Sequence, residues 1–200
     1  MSIEVNHLEE LDWEPKKSNE ISSADYIHRF PAKMTPKLAD YILHRLVEEL
    51  GFNPENRVIF DPFVGSGTTL LAARDMGFEV SGIDLLEAYK ILAKAKLTRL
   101  RKSDLEKLDK AEHLSSEDIP EIEELDQWEN RNLWFREQVY ESLQGIKEWI
   151  SSYKESRVYP ALFTALSQVV WDSSAADDSI IVPTRSKKSP KAPLLTDREI

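Results

Sequence analysis

The chain has no cysteine. That excludes disulfides and zinc sites built on thiolates, and it fits a reducing, cytoplasmic setting. The four histidines are scattered without ligand spacing, so no metal is expected. No apolar run approaches the ~20 residues that cross a bilayer, so no membrane partner is expected. The opening Met1-Ser-Ile-Glu-Val-Asn-His lacks a signal peptide. Positive charge is also short: 26 Lys and Arg face 36 Asp and Glu, a net charge of −10. Duplex binding depends on cations meeting phosphates, so this balance argues against the chain gripping nucleic acid alone. Much of the excess acid sits in residues 102–126, where ten Asp or Glu face three Lys. That stretch reads as a solvated insertion or linker. Two hundred residues otherwise suit one α/β domain with a proper core.

What is present is concentrated in residues 59–69, Ile-Phe-Asp-Pro-Phe-Val-Gly-Ser-Gly-Thr-Thr. A short apolar strand, Val58 to Phe60, delivers Asp61 at its end. Gly65-Ser66-Gly67 makes a tight turn, and a helix opens at about Thr68. Strand, glycine turn and helix N-terminus together cradle a nucleotide-like cofactor. Glycines let backbone approach a ligand where a Cβ would clash, and the first turn of the helix offers unpaired N–H groups. Two competitors fail on spacing. A P-loop needs a Lys after its glycines, and none follows here. A dinucleotide fingerprint needs a small residue at position 70, which is leucine.

The box Asp61-Pro62-Phe63-x-Gly65-Ser66-Gly67-Thr68 closely resembles the cofactor motif of DNA amino-methyltransferases, which methylate adenine N6 or cytosine N4. The resemblance implies S-adenosylmethionine (SAM) as cofactor and DNA as partner. It also implies direct attack of the amine on the sulfonium methyl, as in restriction–modification systems. In that family Asp61 and Phe63 would frame the methionine and adenosine of SAM, with Gly65 and Gly67 bringing backbone to it.

Residues 78–83 read as a buried strand after a helix stop at Gly77, and Asp84 ends it. An acid there, roughly 20 residues past the glycines, can accept hydrogen bonds from ribose hydroxyls. It could equally cap a helix starting near Leu86. Gly82-Ile83-Asp84 resembles the second cofactor motif of methyltransferases, which favours the ribose role.

Upstream, His28-Arg29-Phe30-Pro31-Ala32-Lys33 resembles the motif that precedes the cofactor box in one branch of the family, beside the methionine end of SAM. That implies cofactor-binding roles for Phe30, Pro31, Ala32 and Lys33. Read from the residues alone, Arg29 and Lys33 belong to a solvated loop and His28 to a hydrogen-bonded core position. Thr35-Pro36 caps a helix over 36–50, with Leu38, Tyr41, Ile42, Leu46 and Val47 at roughly helical spacing.

Further helices are expected at Leu86 to about Arg101, at about 132–151 and at about 160–172. Val139, Leu143, Ile146 and Ile150 form an apolar stripe on the second of these; Leu162, Phe163, Leu166 and Val169 face inward on the third. Trp134-Phe135 through Phe163-Thr-Ala-Leu-Ser167 looks like a helical insertion of some prokaryotic DNA methyltransferases. The expected fold is α/β, a Rossmann-like SAM-dependent methyltransferase fold with an incomplete parallel sheet and a helical insertion. Its parts would be an N-terminal arm (1–25), a SAM-binding half (26–101), the acidic insertion or linker (102–131), a helical segment (132–175) and a loop or tail (176–200).

One family feature is absent. An exocyclic amine is a poor nucleophile because its lone pair is delocalised into the ring. Family members answer this with Asp/Asn/Ser-Pro-Pro-aromatic, which accepts the amine hydrogens and stacks on the flipped base. The chain contains no Pro-Pro pair. The expectation is therefore a cofactor-binding portion without catalytic residues of its own, completed by a second polypeptide carrying the catalytic and target-recognition half. A non-catalytic SAM-binding or regulatory subunit and a truncated, inactive enzyme are the alternatives.

Overall fold

The computed structural model describes His28 and residues 33–123, 125–126, 128–177 and 184. The arm at 1–25, Phe30-Pro31-Ala32 and most of the C-terminal stretch lie outside the described residues. The element order is α1 (Pro36–Leu50), β1 (Val58–Asp61), α2 (Thr68–Asp75), β2 (Glu79–Gly82), α3 (Glu87–Leu97), α4 (Lys102–Glu112), a 3₁₀ turn (Ser116–Asp118), α5 (Arg131–Trp134), α6 (Glu137–Ser151) and α7 (Tyr159–Ser173). Among the described residues no helix is long and apolar enough to cross a membrane.

Local signals set the element ends. Pro36 occupies the first turn of α1 after Thr35, and Gly51 in the left-handed region (φ 63°) ends it. The Thr35 side chain makes no capping hydrogen bond. Helix α2 stops in a Schellman arrangement: Gly77 N–H donates to Arg74 O at 2.9 Å, and Phe78 N–H donates to Ala73 O at 3.0 Å. Gly77 takes φ 92°, and the buried Phe78 side chain joins the cluster that contains Ala73.

Strands β1 and β2 pair in parallel, Val58 with Glu79 through Asp61 with Gly82. A parallel pair needs a crossover, and α2 supplies it. Ile59 and Val80 face the helices. They pack on Ala39, Leu43, Ala72, Ala73 and Phe78 of α1, α2 and the start of β2, and Val80 also reaches Val64, Leu70 and Ala93. Among the described residues nothing packs on the opposite face: Val58 is 52% exposed and Phe60 is 56% exposed. The second strand, expected to be buried, therefore alternates exposed and half-buried residues. Burial on both faces requires a layer of structure on each side, and the described residues cover only one side.

The helical half is joined to this unit, since α7 packs on α3 and α6 packs on α7. Ile150, Val158 and Leu162 form a core with Leu100, Leu108, Ala111, Ile146 and Leu166 around it. The acidic stretch thus carries a helix, α4, whose Leu108 and Ala111 enter that core. Its later part lies along α6. A Cβ at Gly145 would run into Ile119 Cγ2 and lie 3.0 Å from the carbonyl oxygen of Pro120. Tyr140 Oη donates to Asp126 O at 2.9 Å, and Lys147 pairs with the Asp126 carboxylate.

Three sequence expectations change in detail. Helix α3 ends at Leu97, short of Arg101. Arg74 donates to Lys96 O and Leu97 O, both at 3.1 Å, and so satisfies carbonyls at its last turn. In α7 Val169 is exposed and Val170 is the residue that packs inward. In α1 Ile42 is exposed, while Ala39 and Leu43 carry the contact with α2.

Candidate functional site

The site forms at the C-terminal ends of β1 and β2, where ligands bind in open parallel sheets. Backbone pairing continues past both strands: Ile83 N–H donates to Asp61 O at 3.0 Å, and Val64 N–H donates to Ile83 O at 3.1 Å. These bonds hold the box residues Asp61 to Val64 beside the residues that lead to Asp84. The Asp61 carboxylate accepts from Phe63 N–H at 2.9 Å, a turn that Pro62 helps to set. Pro62 is exposed, and the Phe63 ring stands 86% exposed at the rim.

The glycine turn follows. Gly65 and Gly67 take φ values of 49° and 75°, the left-handed region that side chains resist. Gly67 N–H donates to Val64 O at 2.7 Å, and Gly67 O accepts from Leu71 N–H at 2.9 Å, which opens α2. Gly67 has a second reason to lack a side chain. A Cβ there would stand 2.9 Å from Ala93 Cβ, so the glycine lets α3 lie against the loop. Ser66 and Thr68 are buried, with their hydroxyls 3.0 Å apart, and this bond stiffens the turn from inside.

Asp84 closes the arrangement. One carboxylate oxygen accepts from Gly65 N–H at 2.8 Å, and the other accepts from Leu86 N–H at 3.0 Å. These backbone bonds, Leu86 first and Gly65 second, hold its pKa below the usual 3.8 and keep it ionised. The capping reading needs adjustment, because the N-cap of α3 is Leu86 itself, without a side-chain cap bond. Asp84 instead forms a turn ahead of the helix. A carboxylate offers about four lone-pair positions, so two bonds leave acceptor capacity toward the rim, where Asp84 is half-buried.

Gly82 is a positioning residue whose reason the sequence did not show. A Cβ there would run into Val64 Cγ2 and lie 2.7 Å from Asp61 O. The two strand ends can approach only because position 82 is bare. Lys33, half-buried, precedes α1. Next to it Met34 Sδ accepts from Thr69 Oγ1 at 3.9 Å, a contact with the first turn of α2. His28 Nε2 lies 2.9 Å from Ser167 Oγ on α7. Phe30, Pro31 and Ala32 lie outside the described residues. Asp61, Pro62, Phe63, Gly65, Ser66, Gly67, Thr68 and Asp84 are thus brought together. Among the described residues no group of three His, Asp or Glu could hold a metal.

Comparison with known proteins shows what the sequence around this site is similar to. The DNA methylase family model, N6/N4 type, matches residues 7–95. The type II methyltransferase M.MvaI of Kocuria varians is 32% identical over 151 residues, covering 72% of this chain and 33% of that protein. The type II methyltransferase M.MjaII of Methanocaldococcus jannaschii is 39% identical over 84 residues, 42% of this chain and 14% of its own length. The type II methyltransferase M2.LlaDCHI of Lactococcus lactis subsp. cremoris is 38% identical over 71 residues, 36% of this chain and 26% of its own. No solved structure matches the chain. It spans about a third or less of the length of these relatives. The matched residues 7–95 hold the whole glycine box and Asp84, so the site lies within the part of the chain that is similar to N6/N4 DNA methylases.

Proposed function

We propose that this chain is the SAM-binding portion of a DNA methyltransferase acting on an exocyclic amine, adenine N6 or cytosine N4, in a restriction–modification system. One observation carries the reading. Asp61, Phe63, Gly65 and Asp84 converge at the ends of two parallel strands, joined by the Gly65–Asp84 hydrogen bond. The residues fit the cofactor. The remaining acceptor capacity of Asp84 suits a ribose diol, the exposed Phe63 ring offers an apolar face to the adenosine, and the bare backbone of Gly65 leaves room beside them. Bound SAM supplies an electrophilic methyl on a sulfonium sulfur. The chain's own part is to hold and orient it: Asp84 at the ribose, Asp61 and Phe63 around methionine and adenosine, and Phe30 to Lys33 at the methionine end. Ser66 and Thr68 act in this reading by fixing the loop.

The catalytic box, Asp/Asn/Ser-Pro-Pro-aromatic, has no counterpart in these 200 residues. We place it, with target recognition, on a second polypeptide. The bare face of β1, with Val58 and Phe60, supports a missing layer, and the net charge of −10 supports a partner that supplies the cations for DNA. DNA as substrate carries with it a cytoplasmic setting. The test mixes the chain with a polypeptide bearing the Pro-Pro-aromatic box and follows labelled methyl from SAM into DNA. Transfer that needs both components, recovered as N6-methyladenine or N4-methylcytosine, supports the proposal. A mixture that binds SAM but transfers nothing to DNA contradicts it and favours a non-catalytic SAM-binding subunit.

A further inference from the structure

We infer that the exposed face formed by α3, its link to α4 and the turn between α6 and α7 is a contact surface for the DNA backbone, with Lys94 and Lys154 at its centre. The inference rests on the reading above, in which DNA is the substrate, and names the part of this chain that meets it. The chain as a whole is acidic, with a net charge of −10. Residues 88–103 break that pattern, holding six Lys and Arg and no Asp or Glu. Lys96 among them is buried, whereas Lys94, Arg99, Arg101 and Lys102 are exposed.

The fold adds cations from a distant segment. Helix α7 packs on α3, which brings the turn leading into α7 beside α3 and the start of α4. Arg157 in that turn donates to Arg99 O, and its Nε lies 3.6 Å from the carboxylate of the buried Asp104. Lys107 Nζ on α4 donates to Ser156 Oγ at 3.3 Å. Lys154 belongs to the same turn, is exposed, and its charge reaches Glu87 at the start of α3. A hydrogen bond from Lys90, and then the charges of Lys90, Lys94 and Lys154, hold the Glu87 carboxylate below its usual pKa. Three ammonium groups from two segments thus gather around one carboxylate, leaving an excess of positive charge.

Position selects the partner. Glu87 follows Asp84 by three residues, and the Lys90 charge also acts on the Asp84 carboxylate. The basic face therefore borders the cofactor site, which a DNA substrate must approach. Lys90 and Lys94 stand about 6 Å apart along the helix axis, and a duplex strand carries one charge per about 3.4 Å, so the spacing suits a run of phosphates. Such contacts position DNA without reading its sequence. They add to the cations of a partner and do not replace them.

The test titrates the full chain onto a short labelled duplex over a series of salt concentrations, with SAM binding followed in parallel by equilibrium dialysis. It compares the parent with Lys94→Gln/Lys154→Gln and with a control, Arg57→Gln/Lys147→Gln, that loses the same charge elsewhere. Arg57 precedes β1, at the end of the sheet away from the site, and Lys147 pairs with Asp126. The parent is expected to bind in low salt. Lys94→Gln/Lys154→Gln is expected to bind about tenfold more weakly, with a salt slope smaller by about two, on duplexes of unrelated sequence. Lys154→Gln alone, in a turn outside any helix, should show about half of that change in slope. The control should stay within about twofold of the parent, and SAM affinity should be unchanged throughout. Equal losses in the two double variants overturn the inference, because net charge alone then explains the binding. A parental slope in Lys94→Gln/Lys154→Gln overturns it too, and tighter binding of a single-stranded RNA of the same length overturns the DNA assignment. A parent that binds SAM but no duplex overturns this inference alone. A folded parent that binds neither overturns the cofactor reading with it.

Discussion

The Asp84 carboxylate accepts a hydrogen bond from the backbone N–H of Gly65 at 2.8 Å, joining the end of β2 to the glycine turn that follows β1. One side chain thus ties the two halves of the site before any ligand is present. A second bond to Leu86 N–H fixes where α3 begins.

Asp84→Ala removes both bonds, and about tenfold or greater loss of SAM affinity is expected from a lost charge-assisted contact and a loosened turn. The pH dependence follows from the direction of the shift. The folded pKa of Asp84 lies below the usual 3.8, so the ionised form binds its partners better in the folded chain. Its stabilisation is fully present above the unfolded value and is lost as pH falls through the lower folded one. Thermal unfolding of the parent and of Asp84→Asn, compared from pH 7 down to about pH 3, should show the gap constant at neutral pH and closing only in acid. A gap that closes near pH 6 contradicts the assignment.

Gly67→Ala and Gly82→Ala should both destabilise, for different reasons. At 67 the left-handed backbone and Ala93 oppose a Cβ, and about 2–3 kcal/mol is expected. At 82 the obstacle includes the Asp61 carbonyl, which cannot swing aside as a side chain can, so the loss should be at least as large. Urea unfolding checks both. Neutral substitution at 82 would mean that β1 and β2 do not approach as described.

Gly145→Ala separates helix propensity from packing. In an exposed helix the change should stabilise by about 1 kcal/mol. Here the new Cβ meets Ile119 and Pro120, so a net loss of about 1–2 kcal/mol is expected, with faster proteolysis around residues 113–130. A stabilised variant with unchanged proteolysis contradicts the packing of the acidic stretch on α6.

Val58 and Phe60 project from the uncovered sheet face, and the chain alone is expected to self-associate through it. Replacing both with threonine keeps β-propensity while removing apolar surface. Light scattering at matched concentration should show less association and little change in unfolding midpoint. Equal association in parent and variant would place the contact elsewhere.

The parts of this molecule that the sequence discloses are the local ones. Pro36, Gly51 and Gly77 mark helix ends because capping acts within a few residues. The box from Asp61 to Thr68 is legible because strand end, turn and helix start are contiguous. Contacts between distant segments leave no such trace. Nothing near Gly145 announces Ile119, and nothing near His28 announces Ser167. Val169 and Val170 are equally apolar neighbours, so only the packing of α7 decides which turns inward. The bare face of β1 was hidden for the opposite reason: an apolar run reads as a buried strand whether or not its cover is present.

The most direct test of the central claim is a calorimetric titration of the purified, folded chain with SAM, with NAD as control. The account predicts binding of SAM and not of NAD, weakened by Asp84→Ala. A folded chain that binds neither, or that binds SAM equally well with alanine at position 84, contradicts it.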